Sequence, residues 1–259
     1  IGNYAISCCS ALLSVTIPDS VIAIGNGAFY RCSALWGLFI PASVTFMGSF
    51  AFCNCDALTS VSIPDSVTFI GSYAFSRCSS LTSVSIPDSV TSIDESTFSN
   101  CSSLESITIP DSVTSIGSSA FEDCDALTSI TIPDSVTSIR SSAFEDCDAL
   151  TSVSISDNVT FIGEDAFRYC DALTSVYITD LAAYLNIDFE DSSANPMSHA
   201  DELYINGSKV AGELTIPDGV TTIPDYAFNG IGDITSVYIP DSVTSIGSYA
   251  FYNTGYYNE

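Results

Sequence analysis

Hydrophobic and polar residues alternate in a short pattern that is repeated along most of the chain. In the unit Leu127–Ala149, Ile130 and Ile132 alternate with Ser129 and Thr131. A period of two residues is typical of a β-strand with one face in a core and the other in solvent. We therefore expect each unit to begin with a strand that buries its aliphatic residues and exposes serine and threonine.

The rest of the unit predicts a turn, a second extended segment and a return to the core. Pro133 and Asp134 end the first strand, because proline fixes a turn dihedral and aspartate accepts hydrogen bonds from nearby backbone N–H groups. Val136 and Ile139 then resume the burial, and Phe144 points inward before the next unit. Each unit leaves its top and bottom open, so the stacking of neighbouring units has to complete the core.

The unit recurs at a fixed period of 23 positions. Its isoleucine stands at Ile17, Ile40, Ile63, Ile86, Ile109, Ile132, Ile155, Ile178, Ile216 and Ile239. Such a period predicts a β-rich repeat solenoid of about ten coils, with strands about 4.8 Å apart. Stacking also predicts an aromatic column in the core, formed by Phe29, Phe52, Phe75, Phe98, Phe121, Phe144, Phe167, Phe228 and Phe251.

The period is interrupted once, by a segment that predicts a short helix and a hairpin. Asp180 can cap a helix in which Leu181, Tyr184 and Leu185 share one face. Asn206-Gly207, between two apolar runs, predicts a hairpin turn. We expect this irregular helix-plus-hairpin insertion to break the ladder of strands and to redirect the solenoid or to contact a partner.

The pattern L-T-S-V-x-I-P-D-S-V-T-S-I-G-x-x-A-F-x-x-C resembles the BspA-like leucine-rich repeats of surface proteins from anaerobic bacteria and trichomonad parasites. The repeats cover 1–179 and 214–259, and 180–213 resembles an irregular insertion seen in that family; the three form one continuous solenoid domain. The resemblance implies a right-handed leucine-rich-repeat superhelix that is extracellular or on the cell surface. It also implies adhesion to host or bacterial surface proteins or glycans.

The charge of the chain narrows the choice of partners. Its 31 acidic residues against 5 Lys and Arg leave a formal net charge of −26. Nucleic acid is excluded as a partner because there are no basic clusters to neutralise phosphates. The uncharged stretch 32–55 is not expected to insert into a membrane, because Pro41 interrupts it and its apolar residues follow the repeat.

Eight of the ten cysteines occupy one column of the repeat: Cys9, Cys32, Cys55, Cys78, Cys101, Cys124, Cys147 and Cys170. The same column holds Ile231 and Thr254 in the last coils, which favours a small buried packing site and free thiols. Disulfides between adjacent rungs and a metal site are the alternatives. Cys53 lies outside the column, and we predict that it is exposed and more reactive.

Two acidic features are candidate cation sites. One is a column of turn aspartates, which we expect to be held by backbone hydrogen bonds: Asp19, Asp65, Asp88, Asp111, Asp134, Asp157, Asp218 and Asp241. The other is a candidate calcium patch on neighbouring coils, made of Glu122, Asp123, Asp125, Glu145, Asp146 and Asp148. Calcium needs six to eight oxygen ligands, and a solvated acidic face is the alternative.

Catalysis and cofactors find no support in the sequence. His199 is the sole histidine, no G-x-S-x-G motif is present, and we expect His199 to lie on the surface. The leading hypothesis is therefore a non-enzymatic binding module without a cofactor, and the alternative is a structural spacer in a larger cell-surface protein.

Aromatic residues that interrupt the exposed serine and threonine distinguish a binder from a uniform spacer. Tyr177 and Tyr238 replace Ser or Thr at the exposed strand position of their coils, and Trp36, Phe39 and Phe46 interrupt the second coil. We predict that these residues contact a partner, although Phe39 and Phe46 could equally contact a neighbouring domain.

The ends of the chain carry no polar cap, which a solenoid needs to cover its outermost rungs. Ile6 occupies the phenylalanine column of the first coil, and the chain stops at Tyr256-Tyr257-Asn258-Glu259. We expect the sequence to be a segment of a longer protein.

Overall fold

Two ladders of short parallel strands run along the molecule in the computed structural model, which describes residues 1–254. The strands are β1 Ser14–Thr16, β2 Ala23–Ile24, β3 Gly37–Phe39, β4 Phe46–Met47, β5 Ser60–Ser62, β6 Phe69–Ile70, β7 Ser83–Ser85, β8 Ser106–Thr108, β9 Ser115–Ile116, β10 Ser129–Thr131, β11 Ser138–Ile139, β12 Ser152–Ser154, β13 Phe161–Ile162, β14 Ser175–Ile178, β15 Asp188–Phe189, β16 Glu202–Ile205, β17 Ser208–Lys209, β18 Gly212–Thr215, β19 Thr222–Ile223, β20 Ile234–Tyr238 and β21 Ser245–Ile246. The helical segments are α1 Leu181–Leu185 and the 3₁₀ turns Ser192–Ala194 and Pro196–Ser198.

The first ladder is built from the first strand of each coil. Its register follows the repeat, because Ile130 of β10 pairs with Val153 of β12, which pairs with Val176 of β14. Along β10 the central Ile130 is buried while Ser129 and Thr131 are exposed, as the alternation predicts. The strands of this ladder are β1, β3, β5, β7, β8, β10, β12, β14 and β16, and β18 and β20 are the corresponding strands of the last two coils.

The second ladder is built from the two-residue strands that follow the turn. Ile139 of β11 pairs with Ile116 of β9 and with Ile162 of β13, and all three side chains are fully buried. In the coil between β6 and β9 the rung is reduced to a single bridge from Ile93 to Ile116. The second short extended segment of the repeat is therefore confirmed.

Tight turns form the third side of each coil and complete the core. In these turns the N–H of Phe121 donates to the carbonyl of Ala143 in the next coil at 2.8 Å. Each of these turns in the regular coils holds two residues with positive φ, such as Ser119 and Asp123, at 53° and 56°. The N–H groups of the strands and turns thus point along the solenoid axis, and neighbouring coils satisfy one another.

The predicted aromatic column is present inside the core. From Phe29 to Phe167 the rings stack on one another with centroids 5.2 to 5.7 Å apart. A second pair, Phe228 and Phe251, stacks at 5.1 Å, with Phe251 only partly buried. Stacks with this spacing add directional aromatic contacts to the burial of the rings.

The hydrogen bonds of the turns differ from those predicted. A backbone bond from the N–H of Val136 to the carbonyl of Pro133 closes the turn at 3.0 Å. A serine hydroxyl fixes the turn to the preceding coil, as when Ser112 Oγ donates to the carbonyl of Val90 at 2.6 Å. Within residues 1–254, Asp157 is the one column aspartate whose carboxylate accepts hydrogen bonds, at 2.6 and 2.9 Å. The prediction that turn N–H groups hold the aspartate column is wrong for its other members.

The irregular segment contains the predicted cap, helix and hairpin, but it does not break the ladder where we expected. The carboxylate of Asp180 accepts from the N–H of Ala182 at 2.7 Å and starts α1, whose Leu181, Tyr184 and Leu185 are buried. After α1, β15 pairs with β13 and β16 pairs with β14, both in parallel. The segment therefore supplies a further coil of the same solenoid.

This coil is longer than the others and has a different core. Val176 pairs with Leu203, so the offset is 27 positions instead of 23. Ser193 takes the place of the alanine that precedes the stacked phenylalanine, because it accepts from the N–H of Phe167 at 3.2 Å. The fully buried Ala194 then stands where a ring is expected, and the aromatic column is interrupted there.

The ladder ends one coil later than predicted. Beyond β16 the chain turns at Asn206-Gly207 into the antiparallel β17, which confirms the hairpin. Strands β18 and β20 then form a separate parallel pair.

Within residues 1–254, no helix has the length and apolar character that crossing a bilayer requires. The predicted uncapped end at Tyr256–Glu259 lies outside the described residues.

Candidate functional site

The outward residues of the first strand of each coil form a surface, which we call the strand face; it runs from β1 to β16 and resumes on the separate pair of β18 and β20. It consists of two columns, represented by Ser129 and Thr131 in β10. The second of these columns reads Thr16, Phe39, Ser62, Ser85, Thr108, Thr131, Ser154, Tyr177, Tyr204, Thr215 and Tyr238. Small hydroxylated residues therefore occupy the middle of the strand face, and aromatic residues stand towards both ends.

The residues predicted to contact a partner are exposed. Trp36 and Phe39 have 60% and 68% of their surface accessible, and Tyr177 and Tyr238 have 37% and 54%. Phe39, Tyr177 and Tyr238 share one column, but Phe39 is separated from the two tyrosines by several rungs of serine and threonine. Tyr238 is separated from Tyr177 as well, because β20 lies beyond the end of the ladder, so the structure places the three aromatic residues on three separate parts of the strand face.

Phe46 lies on a different face, in the second ladder. It is 40% exposed and stacks on Phe69 with ring centroids 5.2 Å apart. It cannot share a contact area with the strand face, because β4 and β3 belong to different ladders of the coil.

A stacked pair of tyrosines, hydrogen-bonded to charged side chains, lies on the last rungs of the ladder, β14 and β16. Tyr177 and Tyr204 are stacked at 4.7 Å with their planes 17° apart. Glu202 accepts from Tyr204 Oη at 3.0 Å, from Ser175 Oγ at 3.1 Å and from Lys209 Nζ at 3.0 Å. We call Tyr177, Tyr204, Glu202 and Lys209 the tyrosine platform.

Hydrogen bonds and charge fix the platform in place. Lys209 also pairs with Asp233 at 3.1 Å, which joins β17 to the coil that follows. The hydrogen bond from Lys209 lowers the pKa of Glu202, and the hydrogen bonds to Glu202 and Asp233 raise the pKa of Lys209. Because both groups stay ionised around neutral pH, the hydrogen bonds of Glu202 to Tyr204 and Lys209 do not change there.

Tyr204, Glu202 and Lys209 were not predicted as site residues. The stretch Leu203-Tyr204-Ile205 was interpreted only as an arm of a hairpin, because it lies 27 positions after Val176-Tyr177-Ile178 and so falls outside the regular period. The matching apolar-Tyr-apolar triplets were the signal that could have aligned the two tyrosines.

A shallow trough runs along the strand face beside the platform. One hollow of about 330 Å³ is lined by Thr131, Asp134, Ser154, Tyr177, Thr179 and Asn206, among others. A second hollow of about 520 Å³ adjoins it, and Thr131 and Asp134 line both. Small hydroxylated residues and the isoleucines at the strand ends, Ile132, Ile155 and Ile178, line the first hollow, and Tyr177 contributes its aromatic ring.

The candidate calcium patch lies on the turn side of the coils, away from the strand face. Burial first, and then neighbouring negative charges, raise the pKa values of Glu122, Asp125 and Asp146. Asp123 Oδ2 accepts from Asn100 Nδ2 at 2.9 Å. In the described part of the chain, no group of three or more His, Cys, Asp or Glu residues is placed to hold a metal ion. The arrangement favours a solvated acidic face.

The cysteine column is confirmed as a set of buried free thiols. All ten cysteines are free, and from Cys32 to Cys170 every member of the column is buried, whereas Cys9 is exposed. Each buried thiol donates to a carbonyl of the preceding coil, as Cys124 Sγ does to Phe98 at 3.3 Å. Burial raises the pKa of Cys101 to about 12. These thiols are therefore protonated packing groups and not nucleophiles.

The prediction that Cys53 is exposed is wrong. Its exposed fraction is 5%, and Asn54 Nδ2 lies 3.1 Å from its sulfur. The small residues of the same repeat position, Ser76 and Ser99, are buried too, while the longer Glu122 is only half-buried. Side-chain length decides exposure at this position, and a thiol is too short to reach solvent.

His199 is half-buried, so the prediction that it lies on the surface is only partly correct. It follows the 3₁₀ turn Pro196–Ser198, and its N–H donates to the carbonyl of Pro196 at 3.1 Å. Burial lowers its pKa, against the opposing effect of Asp171. A neutral imidazole next to the irregular coil is a packing group here, with no nucleophile bonded to it in the described residues.

Parallel strand ladders, tight turns and a cysteine and phenylalanine core define a leucine-rich-repeat solenoid. The model of the BspA type leucine rich repeat region matches residues 1–125, 68–193 and 204–258, and the chain belongs to this family. No curated protein sequence matches the chain.

Solved structures of bacterial leucine-rich repeat proteins are similar to the chain, two of them along nearly its whole length. A leucine rich cell surface protein from Faecalibacterium prausnitzii is 33% identical, with a TM-score of 0.51, over 97% of this chain and 73% of that one. A leucine-rich repeat protein from Bacteroides ovatus is 26% identical, with a TM-score of 0.51, over 98% and 79%. The leucine rich repeat protein of T. pallidum is 31% identical, with a TM-score of 0.52, over 63% and 68%.

Proposed function

We propose that the chain is a non-enzymatic binding module at the cell surface and that it holds its partner on the strand face. The family and the similarity to a cell-surface protein of F. prausnitzii support the location and the scaffold role. Stacked repeats create an extended surface, which suits recognition of a large partner. The partner is a host or bacterial surface protein or glycan.

The tyrosine platform is the observation that carries this proposal. Aromatic residues with a hydrogen-bonding tip are enriched where proteins bind partners, because they bury much area at a low cost in side-chain entropy. Tyr177 and Tyr204 follow several rungs of serine and threonine on this face; Glu202 and Lys209 fix Tyr204 through hydrogen bonds, and Tyr177 stacks on Tyr204. Folding alone would be served by serine or threonine at both positions, as in the neighbouring rungs.

The net charge of −26 restricts the partner further. Long-range repulsion disfavours strongly anionic surfaces, including nucleic acid and the acidic headgroups of membranes. The strand face therefore suits neutral or basic partners.

The test is binding of the fluorescently labelled chain to intact host epithelial cells and to bacterial cells, measured by flow cytometry. The variant Tyr177→Ser/Tyr204→Thr replaces both rings with residues that the same column already carries, so the ladder is preserved. We expect at least a tenfold loss of cell binding. The control Tyr169→Asp removes an exposed aromatic residue from the turn side, where Asp146 occupies the same repeat position, and should bind as the wild type does.

A structural spacer is the second candidate, favoured by the uniform hydroxylated rungs between Phe39 and Tyr177. A spacer predicts that the wild-type chain binds none of these cells. Equal loss of binding in the platform variant and in the Tyr169→Asp control would also contradict a binding site on the strand face.

A further inference from the structure

The trough beside the tyrosine platform has the form of a binding site for a stacked ring. Tyr204 covers one face of the Tyr177 ring at 4.7 Å. The next rung on the other side carries Ser154, whose short side chain leaves the second face of Tyr177 open to the 330 Å³ hollow. Rungs repeat about every 4.8 Å, so a flat ring laid over Ser154 would continue the stack at van der Waals distance from Tyr177.

The polar groups around this hollow match the hydroxyl groups of a sugar. Within residues 1–254, the hydroxyls of Thr131 and Ser154 and the carboxylate of Asp134 form no side-chain hydrogen bond inside the protein. Asn206 uses its amide N–H on the carbonyl of Thr179 at 2.9 Å, which fixes the side chain and leaves its amide oxygen as an acceptor at the rim. Donors and acceptors thus surround a single exposed aromatic face, a combination that orients small polar ligands.

We infer that the trough binds a neutral oligosaccharide, with one sugar ring stacked on the open face of Tyr177 and its hydroxyls bonded to Ser154 and Asp134. This inference rests on the proposed function and names the ligand class for the strand face. The adjoining hollow presents Thr108 and Asp111 one coil earlier, in the same positions as Thr131 and Asp134. The two hollows together are larger than one sugar ring, so the trough suits an oligosaccharide better than a monosaccharide.

Two features of the trough argue against other ligands. An extended peptide binds such surfaces by adding a strand, but the backbone groups of these rungs are already paired. Ile132 N–H donates to Ser154 at 2.8 Å, and Ile155 N–H donates to Tyr177 at 2.9 Å. An acidic sugar would face Asp111 and Asp134 in a protein of charge −26, so the favoured saccharide carries no carboxylate or sulfate.

The experiment is isothermal titration calorimetry of the full chain with neutral oligosaccharides: cello-, manno- and N-acetylglucosamine oligomers of four to six units. Oligogalacturonate and a serine-glycine peptide of similar length are the comparison ligands. We expect at least one neutral oligomer to bind and both comparison ligands to bind at least tenfold more weakly. Tyr177→Ser should weaken binding at least tenfold, and Asp134→Asn should weaken it severalfold.

Matched variants test the position of the site. Tyr238→Thr takes the residue of its paired rung, Thr215, and Asp65→Asn changes the same turn column outside the trough. Both should bind the oligomer as the wild type does. The inference is overturned if no neutral oligomer binds, if the comparison ligands bind as tightly, or if Tyr238→Thr weakens binding as much as Tyr177→Ser.

The saccharide result and the cell-binding result can fail separately. If the platform variant loses cell binding and no saccharide binds, the strand face holds a protein; this inference then falls and the proposed function stands. If an oligosaccharide binds at Tyr177 while cell binding is unchanged in the platform variant, the proposed role in cell attachment is wrong.

Discussion

Two coils of the solenoid, 132–155 and 178–205, each add one strand to the first ladder but fill their cores differently. The regular coil advances the chain by 23 positions and buries a stacked phenylalanine, Phe144, between two others. The irregular coil advances it by 27 positions, and it contains α1 and two 3₁₀ turns. The backbone register of the ladder is kept in both, so the register does not depend on the aromatic column.

The irregular coil uses a buried polar network where the regular coil uses stacked rings. Asn195 is fully buried; its Oδ1 accepts from Tyr184 Oη at 2.7 Å and from the N–H of Met197 at 3.0 Å. Its Nδ2 donates to the carbonyl of Asp225 at 2.9 Å, which ties this coil to the next one. Such a network is stable only when every member has a partner. Removing a hydrogen-bond partner should therefore destabilise the irregular coil most, whereas opening a cavity should destabilise the regular coil most.

The largest effect is expected from opening a cavity in the regular stack. Phe121 is fully buried, with ring centroids 5.6 Å from Phe98 and 5.4 Å from Phe144. Phe121→Ala should lower the free energy of unfolding by about 3 to 5 kcal/mol, measured by chemical denaturation. The control Phe69→Ala removes a ring that is 38% exposed and should cost less than half as much. A loss below about 1 kcal/mol for Phe121→Ala would show that the stack does not form the core.

A smaller loss is expected when the polar network of the irregular coil is broken. Asn195→Ala removes the partner of the buried Tyr184 hydroxyl and should cost about 2 to 3 kcal/mol. The matched control is Asn158→Ala, because Asn158 is exposed and bonds only the carbonyl of Asp134. If the two alanine variants were equally stable in denaturation, the network would not hold the coil.

The smallest effect on stability is expected from removing one of the acidic side chains that the repeat places close together on the regular coils. Burial and neighbouring acids raise the pKa of Glu122 in the folded state, so its ionised form is destabilising. The penalty is present above the raised folded pKa and disappears as pH falls through it towards the unfolded value. Glu122→Gln should therefore raise the melting temperature at pH 7, and the gain should vanish below about pH 4. The control Glu213→Gln removes an exposed acid elsewhere; an equal gain in it would mean that only net charge matters.

The regular coils could be predicted from the sequence because each structural requirement is repeated in it. The alternation around Ile130, the proline turn and the phenylalanine at Phe144 recur with the fixed period of the unit, and each recurrence repeats the same burial. The strand face and the exposure of Trp36, Phe39, Tyr177 and Tyr238 follow from the same alternation.

The irregular coil could not be predicted in the same way, because its core is not periodic. No local pattern shows that Asn195 bonds Tyr184, since those residues are brought together only by folding. The longer offset of this coil hid the pairing of Tyr177 with Tyr204, and so the platform was missed. Cys53 was misplaced for a related reason, because exposure at its repeat position depends on side-chain length and not on the pattern.

The central claim is that the irregular segment continues the ladder and thereby places Tyr204 on Tyr177. Native-state hydrogen exchange of backbone amides, followed by NMR or by mass spectrometry of short peptides, tests it directly. Alternate amides of Glu202–Ile205 bond the rung of β14, starting with Glu202 N–H, which donates to the carbonyl of Thr174 at 2.9 Å. We predict that they exchange as slowly as those of Ser152–Ser154 and much more slowly than those of the hairpin arm Ser208–Lys209. Fast exchange of Glu202–Ile205, at the rate of Ser208–Lys209, would contradict the claim.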